Sequence, residues 1–146
     1  MEQIAPQIPK KKSRKKLIVA GIIVVVVIII AAVALSGSGK QTLINGGTVK
    51  NLSGSQYYEV EFKVTSSTTL YGSVSATNGI IVYLMTPSEY SSFVSSGSVS
   101  SYAYTSGDIS SGSFNTNIGS GTYYAVFENP HSVLSTTLTI NSLYVQ

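Results

Sequence analysis

The sequence predicts an all-β fold: an antiparallel β-sandwich of seven to eight short strands with one short helix, preceded by a single N-terminal transmembrane helix. Three observations lead there. Leu17 to Leu35 carries no charged, amide or hydroxyl side chain; from Gln41 onward apolar residues alternate with polar ones between regular Gly, Asn and Pro punctuation; and Thr86-Pro87-Ser88-Glu89 breaks that alternation with a helix start signal.

Residues 1–16 form a basic tail in which Lys10, Lys11, Lys12, Arg14, Lys15 and Lys16 are offset only by Glu2. The nineteen residues from Leu17 to Leu35 would reach about 28 Å as a helix, close to the ~30 Å of a hydrocarbon core. Their Val and Ile favour a strand in water, but a lone segment in lipid satisfies its backbone only as a helix. The basic cluster on its N-terminal side places the tail in the cytoplasm and everything after Ser36 outside, as a single-pass protein of the cell membrane. Residues 36–40 then read as a flexible spacer and 41–146 as the extracytoplasmic sandwich. A rival remains, because Ala32-Val33-Ala34 fits the small-x-small pattern of a cleaved secretory signal. Either way the domain is exported. An archaeal pilin-type signal fits less well, since Lys15-Lys16-Leu17 lacks a small residue between charge and apolar run.

Within the domain, Gln41 to Val49 supplies a first strand. Tyr58, Val60, Phe62 and Val64 then share one face of a strand whose other face carries Glu59, Glu61 and Lys63. Leu70, Gly72, Val74 and Ala76 repeat the period of two, Asn78-Gly79 signals a tight turn, and Ile80 to Met85 returns as an apolar run, which predicts a hairpin. A helix begins at Pro87 with Thr86 as cap and Glu89 as the capping-box partner, lays Tyr90, Phe93 and Val94 on the sheet, and stops at Gly97. Further strands are predicted over Val99 to Thr105, Gly112 to Asn117, Thr122 to Glu128 and Leu134 to Ile140.

The run Asn78-Gly79-Ile80-Ile81-Val82-Tyr83-Leu84-Met85-Thr86-Pro87-Ser88-Glu89-Tyr90, together with Gly119-Ser120-Gly121-Thr122-Tyr123-Tyr124-Ala125-Val126-Phe127-Glu128-Asn129-Pro130, resembles the β-sandwich ectodomains of archaeal membrane-anchored surface proteins, which are themselves similar to GOLD-like and pre-peptidase-like domains. The resemblance spans roughly Tyr57 to Ile140 and implies a non-catalytic envelope module. It brings no catalytic or ligand residues with it.

Composition narrows the function further. The net charge of +3 sits in the tail, and from Lys40 onward three lysines face five carboxylates, which argues against a nucleic-acid groove. Without cysteine there is neither a disulfide nor a thiolate site, and His131 is the sole histidine, so no metal or other cofactor is predicted. A catalytic pair would need Asp108 or Glu128 beside His131, and a solvated turn after Asn129-Pro130 explains that histidine more simply. Glu59 and Glu61 share a face as paired carboxylates could, but their alternation with Tyr58, Val60 and Phe62 reads as the wet side of an amphipathic strand. Asp108, Asn115 and Asn117 are accounted for by turn chemistry. Asn51-Leu52-Ser53 is a glycosylation sequon.

Ile80 to Met85 and Tyr123 to Phe127 are apolar on both faces, so something must cover their second face: the helix from Pro87, or a partner. Ile81, Tyr83, Tyr124 and Val126 are the candidate partner surface, for an envelope protein or a neighbouring copy. No reaction is assigned. The expected function is display of a non-catalytic sandwich for protein contact, with a glycan- or peptide-binding module built on the ten tyrosines as one alternative and a surface filament subunit after signal cleavage as another.

Overall fold

The computed structural model describes residues 25–29 and 39–146. In chain order the strands are β1 (Val25–Ile29), β2 (Gln41–Ile44), β3 (Thr48–Leu52), β4 (Tyr57–Val64), β5 (Thr68–Met85), β6 (Tyr104–Ile118), β7 (Gly121–Glu128) and β8 (Thr136–Val145), with helix α1 (Pro87–Ser96) between β5 and β6. Among the described residues all strand pairs are antiparallel except β1 with β4.

Strand order runs β1-β4-β7-β5-β8-β2, with β3 also on β8 and β6 on β5. β5 links the two layers. Its first half, Leu70–Ala76, pairs with β8, and its second half, Ile81–Met85, pairs with β7, while β6 follows both halves on the other side. Folding the sheet at β5 therefore brings Tyr58, Val60, Phe62, Val82, Leu84, Ala125 and Phe127 of one layer against Leu70, Val74, Leu138, Ile140 and Leu143 of the other in a single core. These are the apolar positions of a period-two pattern, and burying them is what makes the sandwich stable.

The hairpin expected at Asn78-Gly79 does not form, because β5 continues through the pair. Its register against β6 jumps from Ser75↔Ser111 to Ile80↔Ile109, so Ala76, Thr77, Asn78 and Gly79 stand against Ser110 alone. Gly79 takes φ +89°, a left-handed conformation that supplies the bend between layers. Two bonds fix it: Asn78 N donates to Thr136 Oγ1 (3.1 Å), and Asn78 Nδ2 donates to the Ser135 carbonyl (2.6 Å). A turn signal thus became a corner. Of the strand expected over Val99 to Thr105 only Tyr104 and Thr105 are in a strand; they open β6, which runs through Gly107 at φ +65° and takes in the strand expected over Gly112 to Asn117. Gln41 to Val49 instead divides into β2 and β3.

The helix matches its signals. Thr86 N donates to Glu89 Oε2 (2.8 Å) and Gly97 closes the last turn at φ +65°, its N–H donating to the Phe93 carbonyl (2.8 Å). Phe93 is buried, but Val94 is 44% exposed and belongs to the wet side, contrary to its expected inward position.

The membrane helix expected over 17–35 is not seen. Its described portion, Val25–Ile29, is an extended strand, and the rest of the range lies outside the described residues, as do the tail 1–16 and most of the spacer. Five β-branched residues beside an open sheet edge favour extended pairing, here in the register Val25↔Glu59 to Ile29↔Lys63. Among the described residues no helix is long and apolar enough to cross a membrane.

Candidate functional site

The chemistry of the domain gathers on the outer face of β4, β7 and the second half of β5. Pairing places Glu59 beside Val126 and Val126 beside Tyr83; one step along, Glu61 lies beside Tyr124 and Tyr124 beside Met85; one step back, Tyr57 lies beside Glu128 and Glu128 beside Ile81. Helix α1 covers part of this face. Phe93 meets Tyr57 edge-on with ring centroids 5.0 Å apart, and Tyr90 stacks on Tyr124 at 4.1 Å and 7°. Met85, Phe93 and Val126 form a second small core there.

The candidate partner surface is therefore largely roofed. Val126 is completely buried and cannot meet a partner, Tyr124 is held under Tyr90, and Ile81 and Tyr83 are half-buried. The sequence could not assign the cover to the helix because the apolar second face of Tyr123–Phe127 fits either roof equally well.

Glu59 departs furthest from its expected wet position: it is 1% exposed, and its Oε2 has no hydrogen-bond partner among the described residues. Burial, and next the neighbouring charge of Glu61, push its carboxyl up to about 7 from an ordinary 4.5. Burial also raises Glu128, against the opposing hydrogen bond from Tyr83. At Tyr57 and Tyr124 burial again acts first in raising the phenol, followed by Glu59 at Tyr57 and by Glu61 at Tyr124. One signal could have found the buried acid, namely that Glu59 pairs with the doubly apolar β7 run rather than with a polar strand.

The raised carboxyls make stability depend on pH with a definite sign. A folded Glu59 that holds its proton more tightly than the unfolded chain contributes stability that is full below about pH 4.5 and lost as the pH rises through about 7. Glu128 acts in the same direction. Glu89 acts oppositely: burial tends to raise it, but bonds from Ser101 and from the backbone and hydroxyl of Thr86 hold it below its ordinary value, so its contribution is lost on acidification. With β1 seated, urea unfolding should show the domain about 2 kcal/mol more stable at pH 5 than at pH 8, and Glu59→Gln should remove most of that slope. A slope unchanged by the substitution would show that Glu59 is ionised without cost.

The remaining candidates are dispersed. His131 Nε2 lies 3.9 Å from Asp108 Oδ2 above Gly79, with both side chains partly in solvent, and such a pair is worth at most ~1 kcal/mol. Asn115 and Asn117 lie along β6, and Asn117 Oδ1 accepts from Thr69 Oγ1 (2.8 Å). Among the described residues no group of acidic or histidine side chains could hold a metal ion. Asn51 is exposed on β3, its Oδ1 accepting from Thr137 Oγ1 (3.0 Å), so the sequon faces solvent. The topology residues Lys10, Lys11, Lys12, Arg14, Lys15 and Lys16 lie outside the described residues.

The tyrosines do not make one platform. Tyr58, Tyr104 and Tyr123 pack with the main core, Tyr57, Tyr83, Tyr90 and Tyr124 surround α1, and Tyr71 and Tyr144 stack at 5.1 Å on the outer face of the β5–β8 layer. Lys40 Nζ sits 3.8 Å from the centre of the Tyr144 ring.

No protein-family model matches the chain, and no curated protein matches it. Among solved structures it is similar to PliG of Aeromonas hydrophila, a periplasmic inhibitor of g-type lysozyme, with a TM-score of 0.52 and 10% identity over 85% of this chain and 99% of that one. It is also similar to a pre-peptidase C-terminal domain of a Bacillus anthracis collagenase, with a TM-score of 0.40 and 17% identity over 66% of this chain and 90% of that one. The first likeness is one of β fold alone.

Proposed function

We propose that the chain is a single-pass protein of the cell envelope, anchored by Leu17–Leu35, which displays its β-sandwich outside the cell for contact with other proteins. One observation carries the proposal: nineteen consecutive residues without a charged, amide or hydroxyl side chain, directly preceded by six basic ones. Pairing Val25–Ile29 with β4 takes up five of those nineteen positions, and the other fourteen lie outside the described residues. The resemblance of the Asn78–Tyr90 and Gly119–Pro130 runs to archaeal membrane-anchored ectodomains points the same way.

In a membrane fraction washed with alkaline carbonate, the chain is expected to stay in the pellet, and protease added outside intact cells is expected to digest the C-terminal domain. Recovery of the uncleaved chain in the soluble fraction would overturn the anchor. Where an N-glycosylation system is present, loss of a mass increment on Asn51→Gln would independently place β3 outside.

A second reading draws on the partly exposed Tyr71 and Tyr144, whose rings are the kind of rigid amphipathic area that sugars pack against; a sugar on Tyr144 would have to displace Lys40 from over that ring. Tyr144→Ala would abolish glycan retention if that face binds sugar.

A further inference from the structure

β7 takes one edge of β4, and Val25–Ile29 takes the other. A segment that crosses a bilayer as a helix cannot also lie as a strand on β4, so the anchored protein presents this edge with its outward N–H and C=O groups unpaired. Exposed edges are normally blunted by short length, bulges, proline or solvated charge. β4 has eight residues, an unbroken register with β7 and no proline. Of its three charges Lys63 is exposed and Glu61 half-buried, while Glu59, with β1 seated, is 1% exposed and has a carboxylate oxygen without a hydrogen-bond partner among the described residues.

The chain's own strand fits this edge at only half of its positions. In a parallel pair, opposed residues share a face, and the register sets Val26 and Ile28 opposite Val60 and Phe62, apolar against apolar. It also sets Val25 and Val27 opposite Glu59 and Glu61, where an aliphatic residue type has no donor to give a carboxylate. A strand with Lys or Arg at those two positions would match both rows and would partner the orphan oxygen of Glu59 with a charge-assisted hydrogen bond.

We infer that the outer edge of β4 is an acceptor for an extended segment of a partner protein, added parallel to β4, with basic residues opposite Glu59 and Glu61 and apolar residues opposite Val60 and Phe62. The inference deepens the proposed contact function and rests on it for one point only, namely what vacates the edge. Main-chain pairing supplies the attachment, and the alternating basic and apolar side chains select the partner.

The full-length chain in nanodiscs is titrated with three labelled peptides, containing Lys-Val-Lys-Ile-Glu, the charge-inverted Glu-Val-Glu-Ile-Lys, and Val-Val-Val-Ile-Ile, while fluorescence anisotropy is read. The basic peptide is expected to bind at least about tenfold tighter than either other, to lose about tenfold on Glu59→Gln or Glu61→Gln, and to slow amide exchange along Tyr57–Val64. The same titration is made on Val27→Pro, which prevents β1 from pairing without touching the domain. Binding to that variant but not to the wild type supports the acceptor edge and removes the anchor proposal, because β1 then occupies the edge. Absence of binding to both overturns the acceptor edge whatever the topology. Equal binding of the aliphatic peptide overturns the basic partner in favour of exchange between copies of this chain.

Discussion

Replacing Asn129 with aspartate is expected to destabilise the domain by about 3–5 kcal/mol, lowering its melting temperature by roughly 15 °C or more. Asn129 is completely buried, and the two N–H groups of its side-chain amide serve three carbonyls, one of them shared: Leu52 (3.1 Å), Ser53 (3.0 Å) and Leu134 (2.7 Å). Its Oδ1 accepts from His131 N (3.1 Å), and its own N–H donates to the Gln56 carbonyl (2.9 Å). One side chain thus ties the end of β3, the turn into β4 and the loop before β8 together. Aspartate has nearly the same shape, yet it would turn an acceptor toward three acceptors at a fully buried position. Asn129→Ala should cost less, about 2–3 kcal/mol, because it leaves the carbonyls orphaned without adding repulsion. Thermal melts of both variants followed by circular dichroism check the order, and an aspartate variant no less stable than the alanine one would refute the assigned bonds.

Gly54→Val is expected to cost about 2–3 kcal/mol at the same junction. A Cβ on Gly54 would collide with the carbonyl of Ser132 and come within 2.9 Å of Val133 N, and these are backbone atoms that cannot rotate aside. The neighbouring bond from Ser55 N to the His131 carbonyl (2.8 Å) holds the two loops at that spacing. Because the clash is with the loop before β8, limited proteolysis should show cleavage near Val133 and Leu134 appearing at lower denaturant than in the parent protein. Unchanged cleavage would mean that the loops are not packed together.

Both residues show where sequence stops being informative. Asn129-Pro130 is legible as a turn because proline forbids a continuing strand, but nothing local reveals an amide that reaches back to Leu52. Helix α1 was legible for the opposite reason: Thr86, Pro87, Glu89 and Gly97 all act within a few residues of one another. Asn78-Gly79 misled because its turn chemistry is real, while the partners that turn it into a sheet corner, Ser135 and Thr136, lie far along the chain. Glu59 was placed correctly on the face opposite the main core, but its burial depends on what lies over that face, and strand periodicity carries no record of a roof. Leu17–Leu35 is the sharpest case, since a Val and Ile run of this length reads as a helix if lipid surrounds it, whereas its described part, Val25–Ile29, pairs as a strand with β4.

The central place of β8 has a kinetic consequence. It is flanked by β5 on one side and by β2 and β3 on the other, although all three are synthesised well before it. A ribosome delivers this chain from its N-terminus, so β2 and β3 emerge before Thr136–Val145, the strand they hydrogen-bond to. Closure must then be a late, concerted event among residues distant in the chain, which places the domain with slow-folding topologies. Until that moment two early strands wait unpaired for the one that joins them to the rest of the sheet.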